Sequence, residues 1–231
     1  MDVGFASVVE MLEVRMLKKT AKSAEHDALS EGAKVVSKSR KSAKKRDEIM
    51  AAATEIINNK TYALATMSEI AASLDLRDAT LYYYFPSKQA LAYACHCKAM
   101  ERFQTFLALA DTDGKNGAQK IERFFWHLLE DSNRHGPLLY FGDYFHLELY
   151  HQEQIQRRSR QLTKSLEHFI KEGIEDGSIA PCETKLVVNL MLGMLIWLAK
   201  WTGTVEGLTV DRLMSAITTF ALQGLDIRPN T

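Results

Sequence analysis

Two short amphipathic segments, each about eight residues long, follow one another between residues 66 and 85, with a tight turn at Asp75 between them. Ile70 lies on the inner face of the first segment, and Leu81 and Phe85 form an i, i+4 apolar pair in the second. Helices this short are marginal on their own because helix nucleation is costly. They are therefore expected to fold by packing on each other and on a longer neighbouring helix.

The flanking sequence supplies this neighbour. Apolar residues at helical spacing predict a supporting helix over residues 44–59, and Thr66, with a glutamate three positions later, has the spacing of a capping box at the start of the first short helix. Pro86 ends the second short helix, and Ser87 can cap a longer helix over residues 88–110. The sequence thus predicts a tri-helical unit followed directly by a long helix.

The second short helix has a polar face opposite Leu81 and Phe85. This face carries a guanidinium, hydroxyls and aromatic edges, which can meet DNA phosphates and base edges, on Arg77, Asp78, Thr80, Tyr83 and Tyr84. A tri-helical unit of this kind places its last short helix in the major groove of a duplex. The pattern predicts a helix-turn-helix DNA-binding unit.

The stretch ATEIINNKTYALATMSEIAASLDLRDATLYYYFPSKQAL resembles the tetracycline-repressor-like (TetR) family of transcriptional regulators. In that family a Gly-Tyr or similar pair precedes Thr-x-x-x-Ile-Ala, a short turn and Thr-Leu-Tyr-x-Tyr-Phe-x-Ser-Lys-x-x-Leu. The corresponding residues of this chain keep that spacing and are Thr61, Tyr62, Thr66, Ile70, Ala71, Thr80, Leu81, Tyr82, Tyr84, Phe85, Ser87, Lys88 and Leu91.

The resemblance implies roles for eight residues. Those expected to hold phosphates are Thr66, Tyr82, Tyr84 and Lys88, and those expected to lie towards base edges are Arg77, Ala79, Thr80 and Tyr83. The alternative for the three tyrosines is that at least one packs between helices, and the alternative for Lys88 is an ordinary surface lysine at a helix start.

Two positions depart from the family pattern. Asp75 stands where the family usually has Gly, and Asp tolerates a left-handed backbone better than most residues. Arg77 stands where the family often has Ser, so the second short helix loses a cap and gains a charge near DNA.

The formal net charge is zero, but the charges are unevenly distributed. Residues 34–98 hold 11 Lys or Arg against 6 Asp or Glu, whereas the residues from 99 onwards hold 14 against 17. This contrast favours a nucleic-acid module joined to a domain of another kind. We expect a basic extension, partly helical or disordered, a helix-turn-helix domain, and a helical ligand-binding and dimerisation domain, over 1–43, 44–92 and 93–231.

Within the extension, residues 34–46 carry seven basic residues and no acid. They are expected to form either a solvated tail or an arm that reaches DNA phosphates.

The rear half repeats long helical patterns, over residues 117–134, 152–176, 182–202 and 209–224, with an apolar and aromatic run over 138–150. Because alternating apolar and polar runs are scarce, the fold class predicted for the whole chain is all-α.

In the family that the chain resembles, the last two long helices usually pair with their twins in a dimer interface. The segment 185–225 suits that role, because a helix in it that is apolar on nearly every side must be covered by its own core and by another subunit. The expected interface residues are Leu190, Gly193, Trp197, Leu213, Ile217 and Phe220. A two-fold homodimer presents two recognition helices and implies a palindromic double-stranded DNA operator.

A small-molecule site is expected among the middle helices, where aromatic and methionine side chains recur at helical spacing. The candidates, for each of which plain core packing is the alternative, are Phe125, Trp126, Leu129, Tyr140, Phe141, Tyr144, Phe145, Met191, Met194 and Leu195. The end of the chain is similar to the tail of family members that sense fatty acyl-coenzyme A or related compounds. The similar residues are GMLIWLAKW, a Gly-containing loop and LMSAITTFALQGL. A long apolar cavity would suit an acyl chain, and an aromatic or drug-like effector is the alternative.

The resemblance implies a repressor that an effector releases from its operator. The helix over 88–110 would transmit the change, since a ligand shifts an equilibrium only by its differential affinity for the two states. A helical interaction protein that does not bind DNA is the alternative class.

Catalysis and metal binding are not expected. His146 and His151 are five residues apart, so on one helix they would point roughly 140° apart. Cys95, His96 and Cys97 are consecutive and diverge, and no phosphate-binding glycine loop or nucleophile elbow is present. We therefore predict no enzyme activity, no catalytic residue, no cofactor and no metal.

Three cysteines, an odd count, and the absence of a signal peptide favour the reducing cytoplasm. The longest apolar run, residues 186–199, is too short to span a bilayer and predicts a buried helix, so no membrane partner is expected.

Overall fold

The computed structural model describes residues 40–223. By compactness the chain divides into Met1–Glu48 and Ile49–Thr231. Of the first unit the structure describes residues 40–48, which are helical and contain an ion pair between Lys45 and Glu48 (2.8 Å). Five of the seven basic residues predicted as a tail or arm therefore lie in a helix, and the predictions for residues 1–39 lie outside the described part.

The described elements follow one another along the chain as α1 over residues 40–60, α2 (Met67–Ala72), α3 (Asp78–Tyr84), α4 (Lys88–Asp113), α5 (Gly117–His135), a 3₁₀ helix (Phe141–His146), α6 (Leu149–Glu175), α7 (Thr184–Trp201), a 3₁₀ turn (Thr202–Thr204), α8 (Val210–Ile217) and a π-helical turn (Thr218–Gln223). Between residues 40 and 223 there is no strand, and the predicted all-α class is confirmed.

Side-chain caps explain where several helices begin. Ser87 accepts a hydrogen bond from the Ala90 amide (3.1 Å) at the start of α4, and Asn116 accepts one from the Gln119 amide (2.9 Å) at the start of α5. Each cap satisfies an amide that has no partner within its helix. Helix α4 then runs without a break across the domain boundary predicted at residues 92 and 93.

Two apolar cores lie on the two halves of α4. The first joins α1 from Ile49 onwards, α2, α3 and the early part of α4 with Leu139, Tyr144, Leu147 and Ile155. The second joins the later part of α4 with α5, α6, α7 and α8. The aromatic run after α5, which the sequence assigned to the ligand domain, therefore completes the core of the helix-turn-helix unit.

Helix α7 has two apolar faces. Its inner face is buried and consists of Val188, Met191, Leu195 and Leu198. Its outer face is exposed and consists of Leu186, Leu190, Gly193 and Trp197, at spacings of four, three and four residues. The prediction of a buried helix is therefore correct for only one side. By length and composition alone, Thr184–Thr204 could also cross a membrane, and 22% of that window is buried.

The predicted interface residues on the last helix need correction. Leu213 and Ile217 lie in the second core of their own subunit, so their side chains are not available to a partner. Phe220 is 61% exposed. The α-helix gives way to a π-helical turn at Thr218, and the wider turn takes Phe220 off the face that Leu213 and Ile217 share.

Thr61, which follows α1, has a backbone φ of 80°. This left-handed conformation is costly for a β-branched residue and free of steric cost for glycine. We expect Thr61→Gly to raise the free energy of unfolding by about 0.5–1 kcal/mol, because relief of strain exceeds the added chain entropy. Chemical denaturation measures the change. Thr105→Gly, in the middle of α4, is the control and should lower stability by about 1 kcal/mol. If both variants are destabilised, the backbone of Thr61 is not strained.

His96 of α4 is 1% exposed, and its Nε2 atom has no hydrogen-bond partner. Burial lowers the pKa of His96 to about 4, because the charged ring would lose its hydration. The unfolded chain therefore binds the proton more tightly than the folded one. The stabilising contribution of neutral His96 is present above pH 6.5 and is lost as the pH falls towards 4.

We expect the free energy of unfolding to fall between pH 7 and pH 5 by about 2 kcal/mol more in the wild type than in His96→Leu. The leucine replaces a ring whose Nε2 makes no hydrogen bond and leaves the other histidines in place. Urea denaturation at the two pH values gives the difference. Parallel pH dependences in the two proteins would show that His96 is not the titrating group.

Candidate nucleic-acid interface

The two short helices meet through a defined turn. Thr66 caps α2 by accepting a hydrogen bond from the Glu69 amide (3.2 Å), as its spacing predicts, although the Glu69 carboxylate pairs with Lys60. After α2, Asp75 has a φ of 54°, and the Leu76 amide donates to the carbonyl of Ala71 (2.9 Å). The left-handed turn predicted for Asp75 is confirmed.

Helix α3 is held by one face. Leu81 and Phe85 are buried in the first core, as their spacing predicts. Ser68 of α2 donates a hydrogen bond to the carboxylate of Asp78, which ties the start of α3 to α2. The N-cap residue Arg77 makes no side-chain cap, in agreement with the expected loss. The result is a short helix whose opposite face leaves Arg77, Thr80 and Tyr83 exposed.

The exposed face of α3 carries most of the residues predicted to meet DNA. Exposed residues at the predicted positions are Thr66, Arg77, Ala79, Thr80, Tyr82 and Tyr83, and Tyr83 is 79% exposed. Tyr84 differs because it is half-buried and packs against the first core. One of the three tyrosines therefore packs between helices, which was the alternative for this group.

Lys88 has contacts inside the protein. Its Nζ atom donates to the carbonyls of Ala65 (2.7 Å) and Ala63 (3.4 Å) and lies 4.3 Å from the centre of the Tyr62 ring. Burial lowers the pKa of this ammonium. Lys88 is therefore not a plain surface lysine, because two of its three donors fasten the start of α4 to the loop that leads into α2. Its phosphate contact stays a prediction.

We expect Lys88→Met to lower the free energy of unfolding by about 1–2 kcal/mol, since charge-assisted hydrogen bonds to carbonyls are lost while the apolar stem remains. Thermal and urea denaturation measure the loss. Lys171→Met, on the exposed side of α6, is the matched control and should change stability by less than about 0.5 kcal/mol. Equal stability of the two variants would show that the contacts of Lys88 do not stabilise the fold.

The ten predicted ligand residues do not form one group. Five line or adjoin the second core: Phe125, Leu129, Met191, Met194 and Leu195. Phe141 and Tyr144 belong to the first core, and Trp126 and Phe145 are exposed. Tyr140 lies beside Trp197 and Lys200. The sequence could not separate these surroundings, because aromatic residues have the same spacing in either core.

A cleft of about 760 Å³ opens between α4 and α6, and none of the ten predicted ligand residues lines it. Its apolar side chains include Leu107, Leu162 and Phe169, and its basic side chains include Arg158 and Lys164. The lining residues of α6 recur every three or four positions from Arg158 to Phe169, which is the signal for one helix face. The carboxylates of Glu101 and Asp111 also line the cleft, so its charge is mixed, and it can hold an amphipathic small molecule.

His146 and His151 do not form a pair of ligands. His146 ends the 3₁₀ helix and stacks on Tyr62 (5.2 Å between ring centres), whereas His151 lies in α6 and stacks on Tyr93 (3.9 Å). The predicted divergence is thus produced by a change of element and not by their positions on one helix. Both rings join the helix-turn-helix unit to the segment that follows α5.

Comparison with family models gives two matches along this chain. Residues 49–95 match the model of bacterial regulatory proteins of the tetR family. Residues 114–225 match a tetracyclin repressor-like C-terminal domain. Together they cover both apolar cores and more than half of the chain. No curated protein sequence matches it.

Solved structures share the fold at low sequence identity. The regulator PfmR from Thermus thermophilus has a TM-score of 0.67 at 19% identity, over 78% of this chain and 99% of that one. AibR in complex with isovaleryl coenzyme A and operator DNA has a TM-score of 0.62 at 22% identity, over 74% and 95%. KstR2 of Mycobacterium tuberculosis, a ketosteroid transcriptional regulator, has a TM-score of 0.67 at 16% identity, over 78% and 93%.

Proposed function

This chain belongs to the tetR family of bacterial transcriptional regulators, and we propose that it is a cytoplasmic repressor that binds a palindromic operator as a homodimer. A small, largely apolar effector releases it from DNA. The proposal includes no membrane partner and no enzymatic activity.

The exposed face of α3 is the observation that carries the proposal. The helix is anchored through Leu81 and Phe85 and leaves Arg77, Thr80 and Tyr83 exposed together. A rigid short helix with an exposed polar face has the shape that enters a major groove. Arg77 and Thr80 can donate hydrogen bonds to base edges, and Tyr82 and the remaining donor of Lys88 can reach phosphates.

The outer face of α7 supports the homodimer. Leu190 is 75% exposed, and Trp197 and Phe220 are also exposed apolar side chains. The exposed apolar residues of α7 share one helix face, and an exposed apolar face of this kind marks an interaction site. A second copy of α7 covers it across a two-fold axis, with Gly193 permitting close approach because no neighbouring atom lies within 4 Å of a methyl group added at that position. This arrangement also explains why so apolar a helix is half exposed without invoking a bilayer.

The effector is proposed to bind in the cleft between α4 and α6. Helix α4 contributes to this cleft and to the core of the helix-turn-helix unit, so a ligand that separates α4 from α6 also moves the unit. Arg158 and Lys164 suit the phosphates of an acyl-coenzyme A, and the structure of AibR with isovaleryl coenzyme A supports that class. A polycyclic apolar effector is the second candidate, because the chain is also similar to the ketosteroid regulator KstR2.

Electrophoretic mobility shift with the DNA upstream of the gene tests the proposed function. We expect the wild type to bind and the double variant Thr80→Ala, Tyr83→Ala to bind at least about tenfold more weakly, because each base-edge contact contributes about 1–3 kcal/mol. Tyr150→Ala, an equally conspicuous exposed tyrosine on α6, is the control and should bind like the wild type. Unchanged affinity of the double variant would contradict the assignment of α3.

A further inference from the structure

The segment 136–140, between α5 and the 3₁₀ helix, has no regular secondary structure and is held by side chains from three helices. It begins at Gly136, which has a φ of 80°. Arg102 of α4 donates to the Gly136 carbonyl (2.8 Å) and pairs with Asp131 of α5. We call residues 136–140 the connecting segment. Its fixed position contrasts with the ordinary freedom of a loop.

Asn58, in the last turn of α1, holds the other end of the connecting segment. It is buried, its Nδ2 atom donates to the Leu138 carbonyl (2.9 Å), and its Oδ1 atom accepts from the Tyr140 amide (2.8 Å). Both polar atoms of one buried amide are thus used by the backbone 80 and 82 residues further on. Such a pairing fixes the distance and the orientation between the two chain segments.

Lys200, near the end of α7, closes the arrangement. Its Nζ atom donates to the backbone carbonyl of Asn58 (2.9 Å), a carbonyl near the end of α1 that has no partner in the next helical turn. The same ammonium lies 4.6 Å from the centre of the Tyr140 ring, and that ring lies roughly perpendicular to the Trp197 ring (75° between planes, 6.3 Å between centres). Trp197 belongs to the exposed face of α7, so this cluster joins that face to the end of α1.

The end of α1 determines where the DNA-binding helices begin. Thr61, three residues after Asn58, has the left-handed backbone described above, and α2 starts at Met67. We propose that Asn58 and Lys200 are positioning residues for operator binding, which couple α7 to the helix-turn-helix unit through Tyr140. This inference rests on the proposed function, because its consequence is read on operator DNA. If the cluster and the operator-binding helices favour the same arrangement of the chain, a change at one of them alters the free energy of the other by the same amount.

The test combines amide hydrogen exchange with operator binding in the full chain. Lys200→Met keeps the length of the side chain and removes the donor, Asn58→Leu removes both amide contacts, and Lys185→Met, on the exposed first turn of α7, is the matched control. We expect at least about tenfold faster exchange at the Tyr140 amide, and operator affinity about tenfold weaker, in both cluster variants but not in the control. Lys200→Arg, which keeps a donor and a cation over the ring, should restore both properties.

The double variant separates positioning from general loss of stability. Because the two residues act through one cluster, the operator affinity of Asn58→Leu, Lys200→Met should be close to that of either single variant. Losses that multiply in the double variant, or unchanged exchange at Tyr140 in Lys200→Met, would overturn the inference. A wild type that binds no DNA would refute the proposed function instead, and the exchange data alone would then decide whether the cluster holds the connecting segment.

Discussion

Replacing Leu190 by glutamate is expected to convert the proposed homodimer into monomers and to abolish operator binding at the same time. Leu190 is 75% exposed in the subunit, so the substitution leaves the core of the subunit intact. In a two-fold interface it buries two uncompensated carboxylates, at a cost of at least about 4 kcal/mol. This corresponds to roughly a thousandfold increase in the dimer dissociation constant.

Sedimentation velocity at micromolar concentration measures the mass, and circular dichroism shows that the subunit is folded. Leu149→Glu is the matched control, because Leu149 is 77% exposed on another helix, α6. It should remain dimeric and bind DNA. If the Leu190→Glu variant is still a dimer, the subunit interface does not lie on the outer face of α7.

Gly117→Ala is expected to lower the free energy of unfolding by about 3 kcal/mol, the largest stability change among the substitutions considered. Gly117 begins α5 where it crosses α6, and an added Cβ would lie 2.1 Å from the amide nitrogen of Gly173 and 2.4 Å from the carbonyl oxygen of Phe169. Both are backbone atoms, which cannot move aside as the end of a side chain can. The helices must separate, and overpacking of this kind is costly.

Thermal unfolding at fixed protein concentration should show a midpoint lowered by roughly 6–12 °C. Gly203→Ala is the control, because nothing lies within 4 Å of the added methyl group. A Gly117→Ala variant as stable as Gly203→Ala would show that α5 and α6 can separate without cost.

The helix-turn-helix unit could be predicted because its signals are local. The spacing of Leu81 and Phe85 fixes the buried side of α3, and the left-handed preference of Asp75 fixes the turn, so the exposed residues follow from the sequence alone. Both properties depend on residues fewer than five positions apart. The division of the apolar residues between the two cores, in contrast, depends on residues far apart in the sequence.

Partners distant along the chain account for what the sequence did not reveal. Lys88 finds two carbonyls 23 and 25 residues earlier, and Asn58 finds its partners 80 and 82 residues later. Tyr144 has the spacing of any core aromatic, and only the tertiary structure places it in the first core. The π-helical turn at Thr218 breaks the periodicity from which the face of Phe220 was predicted.

In the proposed regulator, two exposed α3 helices related by a two-fold axis read DNA together. Repeated selection of bound duplexes from a pool of random sequence tests it most directly, with wild type and Leu190→Glu in parallel. We expect the wild type to enrich an inverted repeat whose half-sites lie a whole number of helical turns apart, about 34–36 Å for one turn. Leu190→Glu should enrich no such repeat. Enrichment of a sequence without two-fold symmetry, or of the same repeat by both proteins, would contradict it.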